Sequence, residues 1–155
     1  MKSVYRVFAF IIAAEVVIQA SAVAYGLFGI GKYIDDGATV TKATVESDST
    51  SFTGLGGLAL HGINGMMIIP LLALVFLIIS FFAKVPGGVK WASFVFLAVV
   101  VQVTLGLAGP SVPALGALHG INALLLFGLA ITAGMRVNRV TAPAAAAPAG
   151  DAAAV

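Results

Sequence analysis

The chain of 155 residues contains no cysteine, which excludes disulfides, thiolate metal ligation and thiol nucleophiles. Charge is scarce too: Asp, Glu, Lys and Arg make up 9% of the residues, against roughly 25% in a soluble domain. The net charge of +2 is too small and too scattered for a nucleic-acid footprint. There is no Gly-rich phosphate loop and no well-placed Ser/His/Asp set, so phosphoryl transfer and hydrolysis find no support. Histidine occurs only twice.

Apolar residues fill the gap, at 61% of the chain. This length accommodates one small domain, and so short a chain cannot hide that much apolar surface from water. Its natural solvent is lipid. A membrane-crossing helix needs about 20 apolar residues, and four segments qualify: 5–28, 55–82, 91–108 and 115–135. Short links at 83–90 and 109–114 force antiparallel neighbours. The reading is an all-α integral membrane protein, a four-helix up-down bundle.

Lys2, Arg6, Lys84, Lys90, Arg136 and Arg139 fall on one side of this arrangement, and only Lys32 and Lys42 on the other. Positive charge marks the cytoplasmic side, which places both termini inside and the loop 29–54 outside. Residues 141–155 are rich in Ala and Pro and read as a disordered cytoplasmic tail. Ala20-Ser21-Ala22 resembles a signal-peptidase site. Against cleavage stand the length of the first apolar stretch and its Glu15 and Gln19, which a disposable segment would not need.

The two halves resemble each other. Val16-Val17-Ile18-Gln19 answers to Val99-Val100-Val101-Gln102, and Leu60-His61-Gly62-Ile63-Asn64 to Leu118-His119-Gly120-Ile121-Asn122. Each half is then a helical hairpin, with Gln on its first helix and His on its second. The two hairpins form a parallel repeat about an axis along the membrane normal. At about 1.5 Å per residue, His61 lies about 9 Å below the outer end of its span and His119 about 6 Å below. Gln19 and Gln102 share that outer half, Glu15 is deeper, near the middle of the first span, and the inner half of the second and fourth spans is nearly all apolar.

Ionisable groups inside a membrane are costly and mark function by default. Two imidazoles facing each other across a bundle suit the axial positions of a haem iron. His61 and His119 are the candidate ligands, Gly62 and Gly120 leave room for a flat macrocycle, and Asn64 and Asn122 are candidate second-layer partners for a ring or a propionate. Three other readings stay open. The His, Asn, Gln and Gly residues pack helices together; Met66 or Met67 joins a histidine in holding Cu(I); or Glu15, Gln19 and Gln102 line a small transport path. Glu15 itself is either a proton or substrate group or a hydrogen-bond partner of Gln or Asn. Pro70 is expected to kink the second helix, and Trp91 to anchor at the interface.

Gln102-Val103-Thr104-Leu105-Gly106, the short Pro-containing turn and the helix bearing His119 resemble half of a haem A synthase. With Asn122-Ala123-Leu124-Leu125, they also resemble a small family of four-helix bacterial membrane proteins, mostly actinobacterial, of unknown function. The resemblance implies a bacterial plasma-membrane protein with a haem b between His61 and His119. Its expected partners are the bilayer, a quinol or another membrane redox subunit. The outer loop has only Glu46, with Asp48 nearby, where haem A synthase has a pair of glutamates. With one half present, full synthase activity would need a homodimer or a second subunit, so the chain is not expected to be an enzyme alone.

Overall fold

The computed structural model describes residues 1–46 and 50–141. Helix α1 spans Lys2–Asp35, α2 Lys42–Glu46, α3 Leu55–Ile63, α4 Ile69–Phe82, α5 Gly88–Ala108 and α6 Pro113–Thr141, and a π-helical turn, Asn64–Ile68, joins α3 to α4. There is no strand among the described residues. Four helical segments are long and apolar enough to cross a membrane: α1, α3 through α4, α5, and α6.

α1 packs on α3, α4 and α6, and α5 packs on α4 and α6. The spans therefore stand in a ring, with the two His-bearing segments, α3 and α6, on opposite corners. Contacts at one end show that the topology is up-down. Tyr5 donates a hydrogen bond to the Gly88 carbonyl at 3.0 Å, its ring lies 4.7 Å from that of Phe76, and the Arg136 guanidinium sits 5.2 Å above the Trp91 ring. The apolar half of the bundle is centred on Tyr5, Ile12, Phe76, Val95, Val99 and Leu126, all buried. Large apolar side chains also point outward, Phe28 at 80% and Leu124 at 74% exposure, a surface made for lipid.

Several boundaries differ from the expected ones. α1 runs seven residues past Phe28 to Asp35. Its extension is held by the Lys32–Asp36 ion pair at 2.9 Å and by Gly29, which presses against the Thr53 carbonyl with no space for a side chain. The outer loop contains the short helix α2, whose start is stapled by Thr41 and Thr44: each backbone N–H donates to the other's hydroxyl. α6 continues to Thr141. Asp48 and the tail beyond Thr141 lie outside the described residues.

The second span is not a simple kinked helix. At the π turn the Ile69 N–H bonds to the Asn64 carbonyl, five residues back. Pro70 follows immediately and has no N–H to offer Met66, four residues back, so the α ladder is already broken there. π turns of this kind concentrate at functional sites.

Candidate functional site

Both histidines sit where hairpin backbones come close together. In the first hairpin Gly26 lies against Leu58, and in the second Gly109 lies against Gly116. Gly26 and Gly109 each follow their hairpin's glutamine by seven residues, and Leu58 and Gly116 each precede its histidine by three. The repeat read from the sequence is thus a repeat of packing. It lets an imidazole on one helix reach the main chain of the other.

His119 Nδ1 lies 2.9 Å from the Gln102 carbonyl oxygen. A carbonyl only accepts, so Nδ1 carries the proton and Nε2 presents its lone pair. His61 Nδ1 makes the matching contact with the Gln19 carbonyl, at 3.3 Å. The rings face one cavity of about 420 Å³, bounded by all four spans. Their centroids are 6.1 Å apart, with planes inclined at 66°.

Beside each histidine the asparagine and glutamine form a clasp. The Asn122 side-chain nitrogen donates to the Gln102 amide oxygen at 2.7 Å and to the Ala98 carbonyl at 2.9 Å. In the first half Asn64 donates to the Glu15 carboxyl at 2.6 Å. The Gln19 carboxamide satisfies both its faces when its oxygen accepts from Asn64 at 3.0 Å and from the Gly65 N–H at 3.2 Å, and its nitrogen donates to His61 Nδ1 at 2.7 Å and to the His61 carbonyl at 3.1 Å. The halves share the Asn–Gln bond and differ in the asparagine's second acceptor, the Glu15 carboxyl against the Ala98 carbonyl, and at the imidazole. A free His61 takes its proton on Nε2, because Nδ1 accepts from Gln19. For Nε2 to act as a ligand the proton must move to Nδ1, toward the Gln19 carbonyl, and the Gln19 amide nitrogen must release Nδ1.

Of the candidate site residues, His61, His119, Gly62, Gly120, Gln19 and Gln102 line the cavity. A Cβ added at Gly62 or Gly120 would meet nothing within 4 Å. Asn64 and Asn122 bond to neither histidine; they are turned to the clasps, and the ring of His119 is oriented by the Gln102 main-chain carbonyl and that of free His61 by the Gln19 side-chain amide. Met66 is part of the cavity wall and Met67 is not. Glu15 stands off the cavity, in contact with Asn64. Trp91 is stacked with Arg136. Sequence reasoning did not reach the two carbonyls, since any residue supplies one, nor the role of Gly106. A Cβ on Gly106 would lie 3.0 Å from His119 Cε1. Its one sequence signal is its place a helical turn after Gln102.

The 6.1 Å separation brings the two imidazoles to one place from opposite corners of the bundle. No group of three or more His, Asp or Glu side chains occurs among the described residues. Two protein ligands fall short of a zinc site and are the number a haem iron takes when a protein fills both its axial positions. Comparison of the chain with protein families, with curated proteins and with solved structures finds no match.

Proposed function

We propose that this protein is a haem-b-binding membrane cytochrome with His61 and His119 as axial ligands. The observation that carries this reading is the pair of imidazoles from opposite corners of the bundle, 6.1 Å apart across one cavity. His119 would bind through Nε2 as it stands. His61 would do so after the proton shift described above, with Nδ1 then donating to the Gln19 carbonyl, and hydrogen bonding of this kind raises ligand basicity. Gly62 and Gly120 would leave the cavity wall low beside each ligand. Once bound, the haem would supply one-electron redox chemistry. The positive-inside pattern supports a plasma-membrane location with both termini cytoplasmic and the site nearer the outer face. Its electron donor would then be a quinol or an outer-face protein, and the apolar inner half offers no relay across the whole bilayer.

The test is an oxidised-minus-reduced visible spectrum of the detergent-purified protein, with His61→Ala and His119→Ala alongside. A b-type spectrum in the parent, lost or converted to high spin in either variant, is the expected result. A parent that stays colourless after haem is added overturns the reading. One observation favours a second reading, a structural or accessory subunit: Asn64 and Asn122 both bond across helices, as packing residues do. That reading accounts for the asparagines and leaves the histidine geometry unexplained.

A further inference from the structure

Glu15 precedes Gln19 by four residues, and Ala98 precedes Gln102 by four. The two positions are equivalent, and the clasps use them equivalently. Asn122 donates to the main-chain carbonyl of Ala98 at 2.9 Å, whereas Asn64 donates to the side-chain carboxyl of Glu15 at 2.6 Å. The first half has replaced a fixed acceptor with an ionisable one. Packing alone does not require this, because the second half closes the same clasp with a carbonyl.

We propose that Glu15 is the proton-accepting group of this site, taking up one proton from water when the site gains one electron. The inference rests on the haem reading. On one-electron reduction of the site the proton would form an O–H bond on the Glu15 carboxylate, so no net charge would be added to the membrane interior, where added charge is costly. Only one Glu15 oxygen, Oε2, is held by Asn64, and Oε1 makes no hydrogen bond among the described residues. Other candidates are few. α3 carries only His61, the π turn and α4 carry no titratable side chain, and α6 carries His119 and Arg136 among its described side chains. The histidines would be occupied as ligands, and Arg136 is stacked on Trp91 at the opposite end. On α1, Lys2, Tyr5 and Arg6 are at that same far end, and Tyr25, Lys32, Tyr33 and Asp35 lie ten or more residues beyond Glu15, toward the outer end. Glu15 is tied through Asn64 to the Gln19 side chain beside His61, at 2.6 and 3.0 Å.

The experiment is a redox titration of the purified, haem-containing full chain from acidic to alkaline pH, in the parent and in Glu15→Gln. Glutamine keeps an acceptor for Asn64 and cannot titrate. The parent's midpoint potential should fall as pH rises, approaching a tenfold change in the reduction equilibrium per pH unit, about 59 mV for a one-electron couple, and the variant's should be flatter. Reduction should also produce a protonated-carboxyl band in the infrared difference spectrum of the parent, absent from Glu15→Gln. Equal pH slopes with no such band overturn the inference while leaving the haem reading intact. If Glu15→Gln fails to fold, the parent's infrared band alone decides, since Glu15 is the one carboxyl within the spans' apolar interior among the described residues. A parent without haem removes both, and its absorbance shows this before any titration.

Discussion

Gly106 lies directly against the His119 imidazole: a Cβ at this position would come within 3.0 Å of Cε1 and 3.2 Å of Nδ1. The ring is held there by its 2.9 Å bond to the Gln102 carbonyl, so the space beside Gly106 is what gives His119 its orientation. Gly106→Val should push the ring off that carbonyl and lose most of the bound pigment. The accompanying loss of stability should be about 1–3 kcal/mol, the usual cost of overpacking. Pigment per protein and a thermal unfolding curve, recorded on the same detergent sample, check both. Full pigment in the valine variant would show that His119 does not need this orientation.

Gln19 competes for His61 Nδ1. Its amide nitrogen donates to that atom at 2.7 Å, which holds the imidazole proton on Nε2. Gln19→Leu removes the competitor and leaves the main-chain carbonyl in place. Haem affinity should rise or stay level, although Asn64 and Gly65 lose an acceptor. Haem titration followed by absorbance measures this, and a large drop in affinity would mean that the side chain supports ligation.

The two clasps should contribute to stability and little to ligand binding. Asn122→Leu removes bonds to Gln102 and Ala98. Asn64→Leu removes those to Glu15 and Gln19. Each should cost about 0.6–2 kcal/mol, the range for interhelical hydrogen bonds in membranes, with the pigment spectrum retained. Unfolding in mixed detergent measures the cost, and loss of the spectrum at full stability would give the asparagines a direct part in the site.

Glycines divide by their neighbours. A Cβ on Gly29 would run into the Thr53 carbonyl, and one on Gly57 into the Ala22 carbonyl, whereas Gly31 and Gly56 have nothing within 4 Å. Gly29→Ala and Gly57→Ala should destabilise the α1–α3 contact by more than about 1 kcal/mol, because main chain must move. Gly31→Ala and Gly56→Ala should be neutral or stabilising by up to about 1 kcal/mol, from the gain in helix propensity. Thermal midpoints of the four variants check the split.

α1 supplies Tyr5, Ile12 and Ala13 to the buried core and Gln19 to the site. The purified protein should therefore have the intact mass of a chain that keeps its first span. A mass corresponding to cleavage after Ala22 would remove one wall of the cavity.

Much of this architecture was legible in the residues. Four apolar runs dictate four helices, because a lipid-embedded backbone must satisfy its own hydrogen bonds. Short links dictate antiparallel neighbours, and the repeated Leu-His-Gly-Ile-Asn marks two equivalent helices. The π turn was not legible beyond the broad hint of Pro70, since hydropathy does not register a single added residue in a helix. The direction in which Asn64 and Asn122 turn was not legible either. Spacing puts each on roughly its histidine's face, yet an arc of that width covers both the cavity and the seam beside it.

The sequence by itself determined the apolar solvent, the number of spans, the internal repeat and the two histidines on which any site must rest, because composition and period act locally. Only the tertiary structure decided that the imidazoles stand 6.1 Å apart, that main-chain carbonyls face their Nδ1 atoms, and that Glu15 takes the place of a carbonyl. Those relationships join residues on different helices, and they depend on how closely glycines let the backbones approach.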